Sequence, residues 1–219
     1  MPRLLLSEIT CMRPGLRCIA GYLLDQRRMV RPLNPDGALH WSEDAIAEIG
    51  WIVGGVYDVR TVSHAPTRGL PHVREDLFVD PACVRLIEEL DDEAVCRLLR
   101  PTVSRSLAGL FGENLVEDKY VEDGADCPSL GAIELPTREV RFRYSYDKLS
   151  CVFESDGVLR WLKVKSWALS EVNSERGAAA LQARVRRHPR VHLRIGLPNP
   201  WDKYDPGRCY PMVNGVLLP

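Results

Sequence analysis

A chain of 219 residues can bury one large core or two of about 100 residues each. Its 45% apolar and 27% charged content is that of a globular protein and excludes wholesale disorder, collagen and coiled coil. The net charge of −1 conceals opposed blocks: Glu75 to Glu93 carries eight acids against Arg85 (net −7), Glu113 to Asp126 six against Lys119 (net −5), and Arg138 to Arg194 thirteen Lys or Arg against six acids (net +7).

In chain order, Arg3 to Ile9 is an apolar run, Pro14-Gly15 a turn, Leu16 to Leu24 a second run, Asp25 to Arg28 a polar turn and Met29 to Leu33 a third strand. Together they predict a three-stranded meander. Asn34-Pro35-Asp36-Gly37 ends it, because Pro and Gly supply turn geometry that a strand interior rejects. Ser42 to Ile49 predicts a short helix capped by Ser42, with Glu43 and Asp44 where the helix dipole favours acids, and Gly55 to Ser63 a fourth strand. Residues 64 to 81, rich in Pro, Gly and His, read as a long loop. Apolar residues at helical spacing, Val84, Ile87, Leu90, Val95, Leu98 and Leu99, predict one or two helices over Pro81 to Leu99, broken near Asp91-Asp92.

The second half is again strand-like: Ser129 to Leu135, Arg138 to Tyr146, Lys148 to Glu154 and Val158 to Leu169, with Asp156-Gly157 as a hairpin signal. Ser170 to His188 predicts a helix capped by Ser170 with Arg184, Arg186 and Arg187 at its C-terminal end, stopped by Pro189. Val191 to Leu197 and Tyr210 to Leu218 close the order. The fold class is mainly β with α insertions, two OB-like small β-barrels in tandem. Residues 1–110 form the first, with a helical insert; 111–128 is an acidic connection; 129–219 is the second, with its helix at about 170–188.

Strand periodicity carries the functional argument, since alternate residues fall on opposite faces of a sheet. Val158, Leu162, Val164 and Ala168 mark a core face, with Arg160 and Ser166 as exceptions; Trp161, Lys163, Lys165 and Trp167 mark the opposite one. Neighbouring strands add Arg141 and Arg143 opposite Phe142, Tyr144 and Tyr146, which read as core, and Arg190, His192 and Arg194 opposite Val191, Leu193 and Ile195. Rings interleaved with cations suit a single nucleic-acid strand, whose bases stack while its phosphates are neutralised. The expected binding residues are Trp161, Lys163, Lys165, Trp167, Arg141, Arg143 and Arg194. The competing structural reading packs Trp161 and Trp167 under helix 170–188, with lysine stems over them.

Candidates for catalysis are weaker. His188 and His192 are separated by Pro189 and cannot share a helical face as zinc ligands would. Glu117-Asp118-Lys119 matches the ExK element of some metal-dependent nucleases, without a partner acid on an obvious preceding strand. No Walker loop, GxGxxG, GxSxG or HExxH is present, so no catalytic residue, metal or cofactor is expected. Seven cysteines without a CxxC pair fit reduced thiols in a cytoplasmic protein, and no apolar run suits a signal peptide or a membrane span.

Arg17-Cys18-Ile19-Ala20-Gly21 and Val30-Arg31-Pro32-Leu33, followed by Ser129 to Ile133, the run around Phe142 to Phe153, Leu193 to Leu197 and the C-terminal stretch to Leu218, resemble the dual OB-containing domain family over almost the whole chain. The resemblance implies two OB barrels in one compact unit and a nucleic-acid-related role in bacterial settings that include defence against foreign DNA. It supplies no catalytic residues, and the acidic segment 75–126 departs from its pattern. The leading expectation is a non-catalytic module for single-stranded DNA or RNA in a defence or repair system. The alternative is an adaptor that meets a protein partner through acidic segments 75–93 and 113–126.

Overall fold

In the computed structural model, which describes residues 1–36, 39–63, 68–200 and 206–219, the N-terminal apolar runs become β1 (Arg3–Cys11), β2 (Leu16–Leu23) and β3 (Arg28–Leu33), the expected antiparallel meander. Gly21 on β2 is forced by close approach: a Cβ there would lie 2.5 Å from the Leu5 carbonyl oxygen. The short β4 (Trp41–Ser42) leads into α1 (Glu43–Ile49), where the Ser42 side chain accepts from the Ala45 amide and Gly50 ends the helix in the left-handed region. Then come β5 (Gly55–Thr61) and the long β6 (Asp76–Glu89). β5 pairs antiparallel with β1 and with β6, and β6 pairs parallel with β3, so β1, β2, β3, β6 and β5 close into a five-stranded barrel. A Greek-key barrel of five strands with a helix between its third and fourth is the OB arrangement.

The strand β6 corrects the sequence reading of residues 76–89 as loop and helix. Of the helical span expected over Pro81 to Leu99, only α2 (Asp92–Leu99), capped by Asp91, is helical. Val84, which fits a helical spacing, instead lies opposite Val59 of β5, as Leu86 lies opposite Tyr57, where pairing completes the barrel wall. Pro81 is accommodated because it lies in the irregular stretch between Val79 and Val84, where the ladder is interrupted. The chain continues through β7 (Val103–Ser104), α3 (Leu107–Phe111), β8 (Leu115–Val116) and β9 (Tyr120–Glu122). Within the acidic stretch 111–128, β8 and β9 form a hairpin, and Phe111, Val121 and Cys127 are buried in the second core.

The second barrel uses β10 (Leu130–Pro136), β11 (Arg141–Ser145), β12 (Lys148–Ser155), β13 (Val158–Lys163), α4 (Glu175–Val185), β14 (Arg190–Gly196), β15 (Arg208–Cys209) and β16 (Met212–Leu217). β10 and β11 act as one bent strand, interrupted by a 3-10 turn at Thr137–Glu139. β11 pairs with β12 and β12 with β13; Val164 bridges in parallel to Val213 of β16; β16 pairs with β14, and β14 with β10. This is the same OB circuit, with α4 between its third and fourth strands. The helix starts at Glu175 under a Ser174 cap, later than the sequence reading placed it, and Trp167–Leu169 forms a separate 3-10 turn. β13 also ends early. Past Val164, whose amide still donates to Leu149 O of β12 (2.9 Å), the chain turns away from β12, with the Lys165 amide donating to Val213 O (2.7 Å) and its carbonyl accepting from the Cys11 amide (2.8 Å), so this segment is tied to both barrels.

Each barrel has its own apolar core, one around Trp41, Trp51 and Tyr57, the other around Phe111, Phe142 and Phe153. A third apolar cluster joins them, with Leu5, Tyr22 and Val56 meeting Val95 and Leu99 of α2 and Leu130 and Leu217. Charged groups are buried beside it. Arg194 Nε donates to Glu8 Oε2 at 2.7 Å, and both side chains are fully buried. Arg194 Nη1 also donates to Thr102 Oγ1 (3.1 Å), and Asn214 Nδ2 to Glu8 Oε1 (3.4 Å). Gly215 leaves the room: a Cβ there would sit 3.2 Å from Arg194 Cγ.

A second polar seam links Arg31 to Asp76 (3.0 Å) and to Ser129 Oγ (2.6 Å), while Glu75 accepts from the Ser129 amide (2.8 Å) and hydroxyl (2.6 Å). Burial, with Arg31 and Arg68 nearby, pulls the His72 pKa down to about 4. The ring is therefore neutral at pH 7, and as its Nε2–H tautomer it donates to Leu197 O and Pro198 O, each at 3.2 Å. Breaking a buried pair strands a charge, so Glu8→Leu or Arg194→Met alone should each lower unfolding free energy by about 3–5 kcal/mol in urea titrations. The double variant should lose less than the sum of the two.

Candidate nucleic-acid interface

The strands β11, β12 and β13 are joined by two-residue turns, Tyr146-Asp147 and Asp156-Gly157, whose four residues all have positive φ. That geometry matches the twist of the flanking strands and fixes their register. It aligns Arg141, Val152 and Trp161 in one row across the sheet and Arg143, Ser150 and Lys163 in the next, with strands about 4.8 Å apart. Val152 is buried beneath its row. Trp161 is 54% exposed, and the Arg143 guanidinium lies 5.7 Å from its ring centroid. The indole therefore stands on the outer wall with a cation over it. Helix α4 takes the other side: Ala178, Leu181 and Val185 join Phe142 in the core, and Gln182 bonds the backbone of Phe142 and Val140.

Lys163 continues this surface toward Lys148 and Lys165, which line a groove of about 340 Å³ with Tyr144 and Asn173. Partial burial, followed by repulsion from Lys165 and Lys148, holds the Lys163 pKa down to about 8. Three ammonium groups this close favour an anion that would separate their charges.

Of the residues expected from sequence, Trp161, Lys163, Arg141 and Arg143 come together on this wall, with Lys165 at its edge. Two do not join them. Trp167 is half-buried against the first core, with the Arg17 guanidinium 5.2 Å from its ring, and it clamps the barrels together. Arg194 is fully buried on Glu8 because β14 is covered on both faces, one by its own core and the other by the first barrel. His192 on the same strand is buried too, with its pKa lowered to about 3 by burial and by Arg194.

Alternation along β11 also misplaces a ring. Phe142 is core and Tyr144 half-buried, but Tyr146 is 93% exposed at the hairpin tip. Ser145 pairs with Lys148, so Tyr146 and Asp147 alone make the connection, and that two-residue spacing between strands was the available signal. Glu117 and Asp118 lie in the β8–β9 turn, where Arg160 donates to Asp118 and Lys119 Nζ is 3.8 Å from Glu117. His188 Nδ1 faces the Pro219 carbonyl at 3.2 Å, apart from His192. Among the described residues, no group of three or more His, Cys, Asp or Glu side chains is arranged to hold a metal, and no helix is long and apolar enough to cross a membrane.

Two OB circuits sharing a buried seam define a tandem OB-fold protein. The chain belongs to the dual OB-containing domain family, whose sequence model matches residues 5–216. No curated protein gives a significant match. Among solved structures, the chain is similar to a murine DNA binding protein bound with double-stranded DNA (8% identity, all of both chains, TM-score 0.36). It is also similar to the p204 HINb domain (10% identity, 96% of this chain and 95% of that one, TM-score 0.39) and the tetrameric p202 HIN2 (10% identity, 100% and 92%, TM-score 0.34).

The two tryptophans should separate experimentally. Trp161→Ala should change stability by about 0.5 kcal/mol or less, as surface substitutions do, and remove most acrylamide-quenchable fluorescence contributed by this wall. Trp167→Ala should cost about 2–4 kcal/mol, because it empties a packed position between the barrels.

Proposed function

We propose that the chain is a non-catalytic nucleic-acid-binding module that lays a single strand of DNA or RNA across β11, β12 and β13. OB barrels take oligonucleotides on the face of their second and third strands and the loop that precedes them. Here those positions are β12, β13 and the Tyr146-Asp147 turn. The observation that carries the reading is the exposed Trp161 indole, flanked by Arg143, Arg141 and Lys163 on two adjacent rows. A base stacked on such a ring gains roughly 1–3 kcal/mol, and sequence tolerance follows because every base has a π-face. Single strands are favoured over duplex because a paired base has no free face to offer the indole.

Direct binding tests the reading. Replacing Lys163 and Arg143 by Ala should weaken binding to oligothymidine and oligouridine and flatten the log K against log salt slope by about 0.7 for each phosphate no longer neutralised. Trp161→Ala should weaken it with the salt slope unchanged. Absence of salt-sensitive binding to any single strand at low ionic strength would rule the proposal out.

The lysine cluster adds a pH test. Lys163 is charged below about pH 8 and neutral above it, so affinity should fall between pH 7 and pH 9. A phosphate beside it raises its pKa, so binding at pH 8 should take up protons, seen as a buffer-dependent enthalpy in calorimetry. Lys163→Arg should abolish both effects.

A further inference from the structure

Where the two barrels meet there is a cavity of about 510 Å³ that touches the groove beside β11, β12 and β13 through Cys11 and Lys165. This size is within the range of sites for small organic ligands. Its wall combines three kinds of chemistry. Arg13, Arg31, Arg68 and Lys165 line it, with no carboxylate among the described lining residues. Asp76 contacts both Arg31 and Arg68 and so offsets one of those two charges. Among the described residues, Arg13 and Lys165 have no carboxylate partner, and Arg13 is exposed at the mouth. The excess charge is felt at His40, whose pKa is lowered by burial and then by Arg68, Arg13 and Arg31.

Apolar surface forms the second component, supplied by Ala20, Leu130, Leu197, Pro198 and Met212. The third is a pair of lining residues, Asn214 and His40, each with a buried hydrogen-bonding atom, Asn214 Oδ1 and His40 Nδ1, that has no protein partner among the described residues. Asn214 itself is 8% exposed and is held through its Nδ2 by Glu8, so its oxygen is fixed in place. A buried acceptor without a donor is costly, and a ligand that brings an N–H relieves it. Inorganic phosphate would use the cations and leave the rest of the wall unmatched. A fatty acid would leave Asn214 and His40 unmatched.

We infer that this inter-barrel cavity binds a nucleoside monophosphate, either free or as the phosphorylated end of a strand. Its phosphate meets Arg13 and Lys165, and its base lies on the apolar wall with a polar edge toward Asn214. The inference stands apart from the strand surface, because Arg13 lies outside those rows and Trp161 and Arg143 lie outside the cavity.

The test is calorimetric titration of the full chain with the four nucleoside 5′-monophosphates, with inorganic phosphate, and with short oligonucleotides carrying a phosphate or a hydroxyl at the 5′ or 3′ end. Binding of at least one monophosphate more tightly than inorganic phosphate supports a free nucleotide. A preference for a phosphorylated end over the matching hydroxyl end supports a strand terminus. In either case Arg13→Glu, at an exposed position where a thermal melt should be unchanged, should weaken binding by about tenfold or more, the scale of one charge-assisted hydrogen bond. Trp161→Ala and Arg143→Ala should leave monophosphate binding unaltered while weakening strand binding, which separates this site from the strand surface. The inference is overturned if no monophosphate and no phosphorylated end binds better than inorganic phosphate and the hydroxyl controls, or if binding is indifferent to Arg13→Glu.

Discussion

The arrangement of this molecule depends on one buried ion pair. Glu8 from the first barrel and Arg194 from the second meet without solvent, with Thr102 and Asn214 completing their hydrogen bonds. Desolvation consumes most of what such a pair gains, so it adds little net stability over an apolar replacement. Its effect is positional. Any other seating of one barrel on the other would leave a carboxylate or a guanidinium buried alone. The Arg31, Asp76, Glu75 and Ser129 contacts apply the same rule at a second point, and two fixed points remove the freedom to slide. The short motifs that carried the family resemblance contain Arg31, Ser129, Arg194 and Asn214, and their place on the seam explains why polar residues stand in otherwise apolar strands.

Local chemistry made much of the fold legible from sequence. Pro14-Gly15, the Asp25 to Arg28 turn, the Ser42 cap and Asp156-Gly157 act within a few residues of themselves, and each element they delimit is present. The wall bearing Arg141, Arg143, Trp161 and Lys163 was legible for the same reason, because alternation is a property of a single strand. What failed was set by distant partners. Strand β6 has apolar residues at helical spacing, but β5 and β3 pair with its backbone. Arg194 sits at an outward position of its own barrel, and nothing near it in sequence reveals that a second barrel covers that face. Alternation extends to Trp167 only if the strand does, and β13 stops at Lys163, beyond which Val213 and Cys11 capture the backbone.

The acidic blocks likewise divide by tertiary context. Glu75 and Asp76 serve the seam and Asp91 caps α2, while Glu88, Glu89 and Glu93 face solvent. A charge count along the chain adds such groups as though they were equivalent. Much of the negative charge near residue 75 is cancelled internally by Arg31 and Arg68, and the cavity beside it is consequently lined by cations.

The stretch from Val164 to Ser166 belongs to both barrels at once, bridging to Val213 on one side and to Thr10 on the other. Tandem modules ordinarily can be shuffled, duplicated or spaced apart by lengthening a linker. That freedom is closed to this pair, since separating them would take a piece of wall from each. Evolution can vary its loops and surfaces, but must inherit the two barrels as one indivisible part.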